Sequence, residues 1–161
     1  MKLKLSKRME MIVSLCEEVD TIIDVGTDHG KVAITVANLN ISKKVIAIDN
    51  KIGPLNACKE NAEKYLTTPH AKFETSLQNG IENIEKNIEC GIIITGIGYD
   101  NMIKILSNIA DYNYKYLILS PHTKMPELIK FLDKVNIDIT ENKNVFEDNK
   151  YYYIIKGTPK V

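Results

Sequence analysis

Three acids and two glycines in the first third of the chain carry the chemistry that is easiest to read. Asp24, Gly26, Asp28 and Gly30 fall within Ile22-Ile23-Asp24-Val25-Gly26-Thr27-Asp28-His29-Gly30, an apolar run that breaks into a glycine-punctuated turn. Asp49, followed by Asn50, ends a second apolar run, Val45-Ile46-Ala47-Ile48. A strand, a glycine turn, a helix and an acid-tipped second strand form the nucleotide-binding half of a doubly wound α/β fold. Gly26 and Gly30 let the backbone turn tightly and approach a ligand closely. Asp49 is then placed to accept hydrogen bonds from the two hydroxyls of a ribose. The spacing Gly26-x-Asp28-x-Gly30 puts a carboxylate where dinucleotide-binding turns have a glycine, and a carboxylate there repels a pyrophosphate. S-adenosylmethionine (SAM) carries an ammonium and a sulfonium and no phosphate. The charge pattern therefore favours SAM over a dinucleotide. Asp24 and Asp28 also suit capping of the following helix, and the two roles are compatible.

Other candidates lie at later strand ends, where a doubly wound sheet binds its ligands. Asn79, in Gln78-Asn79-Gly80, either hydrogen-bonds an adenine edge or simply forms an Asn-Gly turn. Thr95-Gly96-Ile97-Gly98-Tyr99 follows the fourth strand. Gly96 and Gly98 would let a flat base approach there, and Tyr99 either stacks on that base or covers the start of a helix. His29 is a candidate general base, with backbone anchoring as the competing role. His122, in Ser120-Pro121-His122, is a weaker candidate, and His70 reads as surface.

Positioning these groups takes a particular set of elements. Met9, Ile12, Val13 and Cys16 form a helical stripe within an N-terminal helix expected over 5–18, opened by Ser6 and packed on the sheet. Strands are expected at Thr21 to Val25, Val45 to Ile48, Ala71 to Thr75, Gly91 to Thr95 and Tyr116 to Leu119. Helices are expected from Lys31 to Leu39, from Pro54 to Leu66, around Met102 to Ile109 and from Met125 to Leu132. Two closing strands, about Asp138 to Phe146 and Tyr151 to Lys156, flank the turn Glu147-Asp148-Asn149. The expectation is one α/β domain over residues 1–161, Rossmann-like, whose order of elements resembles the class I methyltransferase architecture. Its seven-stranded, mostly parallel sheet would carry helices on both faces and end in an antiparallel hairpin.

Composition narrows the class further. The chain has 161 residues, with 21 Lys plus Arg against 21 Asp plus Glu, so no global basic field marks it as a nucleic-acid binder. Lys2, Lys4, Lys7 and Arg8 form only a short basic cluster. Three separated cysteines, Cys16, Cys58 and Cys90, argue against a disulfide framework or zinc site and for a reducing cytoplasm. No signal peptide or transmembrane run is read, and neither a metal nor a membrane is expected.

Several strings occur in an informative order: Leu5-Ser6-Lys7-Arg8-Met9, Asp24-Val25-Gly26-Thr27-Asp28-His29, Gly96-Ile97-Gly98 and Leu117-Ile118-Leu119-Ser120-Pro121. Together they resemble the bacterial tRNA (adenine-22-N1)-methyltransferase family over nearly the whole chain. The resemblance implies SAM as cofactor, tRNA as substrate and methyl transfer to N1 of an adenine. It implies that Arg8 helps hold the methionine carboxylate, which agrees with the bidentate chemistry of a guanidinium, and that Asp28 faces the acceptor adenine. The sequence departs from the family at Gly96-Ile97-Gly98-Tyr99, where the family has Gly-Met-Gly-Gly. Asn79-Gly80 replaces Asp-Gly, and Ser120-Pro121 replaces Gln-Pro. The family also carries a C-terminal helical domain, whereas this sequence stops at the sheet. A helical partner subunit or a homo-oligomer would be one source of the missing RNA grip. Two other readings stay open: methyl transfer to another acceptor, and a degenerate SAM-binding or partner-binding module.

Overall fold

A computed structural model describes residues 2–161. The seven strands are β1 (Thr21–Val25), β2 (Lys44–Asp49), β3 (Lys72–Leu77), β4 (Cys90–Thr95), β5 (Tyr114–Ser120), β6 (Ile137–Glu147) and β7 (Lys150–Pro159). They form one sheet in the order β3-β2-β1-β4-β5-β7-β6. The pairings from β3 through β5 are parallel; β7 runs antiparallel to β5 and β6. The chain order reverses between β1 and β4, so a ligand crevice opens at their C-terminal ends.

Among the described residues five α-helices complete the fold, α1 (Lys7–Leu15), α2 (Lys31–Asn38), α3 (Ile52–Tyr65), α4 (Tyr99–Leu106) and α5 (Met125–Lys134), with a 3-10 turn at Ile109–Asp111. Strand alternation divides the core in two. Ile22, Val45, Ala47, Ile93 and Ile118 face one side, with Ile12, Leu15, Val32, Val36 and Cys58 from α1, α2 and α3. Ile23, Ile46, Ile48, Ile92 and Leu117 face the other, with Met102, Leu106, Leu128 and Leu132 from α4 and α5. The parallel strands β1, β2 and β4 are covered on both faces, which is why they read as near-continuous apolar runs.

The N-terminal helix is shorter than the expected 5–18. Ser6 lies outside it as N-cap, accepting a hydrogen bond from the Met9 N–H at 3.2 Å. The helix stops at Leu15, because Cys16 is extended at φ −70° and ψ 140°. Its neighbours are α2, β6 and β7, so it packs on the antiparallel end of the sheet. The third strand runs two residues beyond its expected end at Thr75, in register with β2 through Asp49↔Leu77. At the hairpin, Glu147 belongs to β6 and only Asp148 and Asn149 turn, at φ 51° and 59°. Two consecutive left-handed residues match the right-handed twist of the flanking strands, and Asp and Asn tolerate that conformation.

Candidate active site

The turn after β1 positions the site. Gly26 sits at φ 75°, and a Cβ there would lie 3.1 Å from the Thr95 carbonyl oxygen and 3.3 Å from Ile97 Cγ2. The first turn thus passes tightly beside the loop after β4. Asp28 is also left-handed, at φ 55°. Its N–H donates to Asp49 Oδ2 at 3.1 Å, and the Lys51 N–H donates to Asp49 Oδ1 at 3.1 Å. Asp49 therefore holds the turns after both strands. Each carboxylate oxygen has two acceptor sites, so one on each remains for a further donor. A vicinal diol needs two acceptors of this kind.

Two cavities meet over this carboxylate. The first, about 190 Å³, lies toward α4 between Val25, Ile48, Asn79, Gly80, Ile97, Asn101, Lys104 and Tyr112. The second, about 360 Å³, lies toward α1 and α2 and is lined by Arg8, Ile12, Asp24, Thr27, Asp28, His29 and Gly96, among others. Gly26, Asp49, Asn50 and Ile97 line both. The result is a bent trough: one arm of mixed polar and apolar lining that carries Asn79, Asn101 and Lys104, an acid at the bend, and a second arm carrying a buried acid and a half-buried guanidinium.

Those charged groups are Asp24 and Arg8. Asp24 shares the sheet face of Ile22 and is 3% exposed. Thr27 Oγ1 donates to its Oδ2 at 2.9 Å. Burial pushes its carboxyl up to about 7; the Thr27 hydrogen bond opposes this and the Asp49 charge adds to it. An acid in that state gains strongly from a cationic neighbour. The Arg8 backbone N–H donates to Glu147 Oε1 at 2.9 Å, and its guanidinium lies 4.6 Å from the centre of the Tyr152 ring. Arg8 Nε is buried with no hydrogen-bond partner. A buried guanidinium donor without an acceptor is costly, and an anionic ligand in the second cavity would satisfy it.

Most of the expected residues come together here. Arg8, Asp24, Gly26, Asp28, His29, Asp49, Asn50 and Gly96 border the second cavity; Asn79 and Gly80 border the first. Asp28 and His29 lie at the rim, with Oδ1 and Nε2 3.7 Å apart and both side chains mostly exposed. The His29 carbonyl accepts from Asn61 Nδ2 at 2.8 Å, which ties the turn to α3. Gly30 lines neither cavity. It starts α2 at φ 77° and packs against the Cys58 side chain. Tyr99 lines neither cavity as well; it packs on the α4–α5 core, with Lys124 Nζ 5.6 Å from its ring centre. Sequence reasoning missed Ile97, which lines both arms, and the stripe Asn101, Lys104 and Ile105 on α4 continued by Asn108 just beyond its end. Its i, i+3, i+4, i+7 spacing was the available signal.

A sheet of this order, with a glycine turn after β1 and an acid at the tip of β2, defines a Rossmann-like fold of the class I methyltransferase type. The chain belongs to the methyltransferase domain family, which matches residues 5–155. The tRNA (adenine(22)-N(1))-methyltransferase of Bacillus subtilis is 25% identical over 156 residues, covering 96% of this chain and 65% of that protein. The chain thus spans about two-thirds of the length of this curated relative. The structure of M. capricolum TrmK in complex with S-adenosyl-homocysteine matches with a TM-score of 0.82 at 29% identity, covering 96% of this chain and 68% of that one. Magnesium protoporphyrin IX methyltransferase from Synechocystis shares the fold at a TM-score of 0.77 and 15% identity, covering 96% of this chain and 79% of that one.

Proposed function

We propose that this chain binds SAM in the bent trough and directs methyl transfer to N1 of an adenine in tRNA. The observation that carries the reading is the meeting of the two cavities over Asp49, with Arg8, whose buried Nε has no hydrogen-bond partner among the described residues, bordering the second. The residues present fit the cofactor. Asn79 and the apolar wall of the first cavity suit an adenine, and the two free acceptor sites of Asp49 suit a ribose. Asp24 suits an ammonium and Arg8 a carboxylate. Bound SAM supplies a methyl group on a sulfonium.

The tRNA assignment draws on the printed activity of the Bacillus subtilis relative and on the M. capricolum TrmK likeness. Adenine N1 has an in-plane lone pair, so the protein's main task is alignment, which accelerates such reactions strongly. N1 is paired within a duplex, so the target must be unpaired or flipped out. Asp28, exposed at the rim, accepts a hydrogen bond from the exocyclic amine and assists proton loss from the methylated base. The three cysteines are free, in keeping with a reducing cytoplasm as the working compartment.

The test is transfer of labelled methyl from SAM to bulk unmodified tRNA, followed by digestion and nucleoside identification. The expected product is 1-methyladenosine, with the rate reduced about a hundredfold or more in Asp28→Ala. A wild-type rate in that variant removes the role given to Asp28. Tight SAM binding with no incorporation assigns another acceptor. Incorporation restored by a copurifying helical subunit assigns the RNA grip to a partner.

A further inference from the structure

Arg8 borders a third cavity as well as the second. This one, about 280 Å³, lies between the loop after β5 and the closing hairpin, and its cations are Arg8, Lys124 and Lys150, with His122 beside them. It shares Met125, Pro126 and Tyr153 with a more open fourth cavity between α5 and β6, which adds Lys130 and Lys143. No Asp or Glu lines either cavity among the described residues. Lys143 is compensated by Glu141 at 3.4 Å. Lys124, Lys130 and Lys150 have no acidic partner within 4.0 Å among the described residues. A chain with equal numbers of acids and bases has thus collected cations without acidic partners along one groove, Lys124 near the Tyr99 ring and Lys150, at the end nearest Arg8, 5.1 Å from the centre of the Tyr152 ring.

The same groove carries aromatic faces. Tyr151 and Tyr153 are 58% and 45% exposed on the α5 side of the hairpin, and Phe146, 49% exposed, pairs with Tyr151 at 4.8 Å between ring centres. Exposed rings of this size, unsupported by a core, are unusual on a surface strand. Tyr99, which the cofactor trough leaves out, stands beside Lys124 at the same end. Unpaired lysines tracking a path, with aromatic rings between them, match the two things a single-stranded nucleic acid offers: a line of phosphates and a series of flat bases.

We propose that the groove between α5 and the β6–β7 hairpin holds a single-stranded segment of RNA running away from the cofactor trough. Lys124, Lys130 and Lys150 contact its phosphates, and Tyr151 and Tyr153 stack its bases. Continuity through Arg8 places the strand's near end at the mouth of the second cavity. The inference rests on the tRNA reading above, and gives that substrate a grip on this chain's own surface.

Binding of a short fluorescent oligoadenylate and of bulk tRNA, read by anisotropy across a salt series without cofactor, tests the groove separately from the chemistry. The variants are Lys124→Gln/Lys130→Gln/Lys150→Gln and Tyr151→Ala/Tyr153→Ala, each checked for folding by thermal unfolding. The lysine variant is expected to lose at least tenfold in affinity at low salt. Its slope of log affinity against log salt should fall by about 2, at about 0.7 per phosphate on a single strand. The tyrosine variant is expected to lose about fivefold or more per stacked base with the salt slope unchanged. Folded variants that bind oligoadenylate with wild-type affinity and slope overturn the proposal. So does polyglutamate binding as tight as RNA and insensitive to the tyrosines, which makes the groove a seat for an acidic protein. Groove-dependent RNA binding without methyl transfer supports the groove and sinks the methylation reading. Wild-type tRNA methylation kinetics in the lysine variant do the reverse.

Discussion

Asp24 is an acid whose protonation the fold alters within the ordinary pH range. An unfolded Asp titrates near about 3.9, and burial in the folded chain raises Asp24 to about 7. The folded state therefore holds an extra proton between those values. The stability linked to that proton is complete below the lower value and is lost as pH rises through the window, by up to about 1.4 kcal/mol per pH unit. Replacing Asp24 by Asn removes the titration. Stability of Asp24→Asn measured by urea unfolding, minus that of the parent chain, should therefore increase from about pH 4 to about pH 7 and level off above. A difference that is flat across this range sinks the assignment. Ligand binding gives a second reading of the same group. An ammonium beside Asp24 favours its charged form, so S-adenosyl-homocysteine binding near pH 6.5 should release a proton in the parent and none in Asp24→Asn. Calorimetry in buffers of different ionisation enthalpy measures that proton.

Gly30 shows how an element, rather than a ligand, can demand a glycine. It initiates α2 at φ 77°, and an added Cβ would run into Cys58 on α3. Gly30→Ala thus incurs a left-handed backbone cost of roughly 1–2 kcal/mol and an overlap cost of about 1–3 kcal/mol. Cys58→Ala removes the Sγ that the added Cβ would overlap most, and leaves the backbone term and a tight contact with the Cβ of residue 58. In urea unfolding, Gly30→Ala/Cys58→Ala should therefore be less destabilised than the sum of the two single variants. Strict additivity means that the α2–α3 contact does not constrain Gly30. The sequence reading had Gly30 as a ligand contact, because a glycine after a β1 turn serves either purpose and spacing does not separate them. The strands and helices were legible because β1, β2 and β4 are buried on both faces and the helices carry apolar stripes. Their ends were less so. Whether Cys16 or Glu147 continues its element depends on the packing of α1 against the hairpin, a contact between residues more than a hundred positions apart. The acids of the trough were readable from type and spacing. Ile97 was not, because an isoleucine between two glycines signals nothing until the loop after β4 is seen against Gly26.

At the scale of the molecule, equal counts of acids and bases concealed a segregation. Acids and bases line the trough together, Asp24, Asp28, Asp49 and Glu82 with Arg8, Lys31, Lys51 and Lys104, whereas among the described residues lysines without any acid line the groove beside it; a net charge of zero does not show that difference. The trough also binds the two halves of the fold to one another. Its walls come from α1, the turns after β1 and β2, the loop after β4, and α4, so a ligand that fills it bridges elements from both faces of the sheet. Such a ligand binds only the folded chain and stabilises it by mass action, by ~2.7 kcal/mol at a hundredfold excess over its Kd. For a domain of this size each kcal/mol raises Tm by about 2–4 °C. Saturating S-adenosyl-homocysteine should therefore raise Tm by about 5–11 °C in thermal unfolding followed by circular dichroism. NAD at the same concentration should leave Tm unchanged, because Asp28 occupies the place where a pyrophosphate would approach the start of α2. An equal shift with NAD overturns the charge argument that separates the two cofactors, and no shift with either removes the trough as a cofactor site.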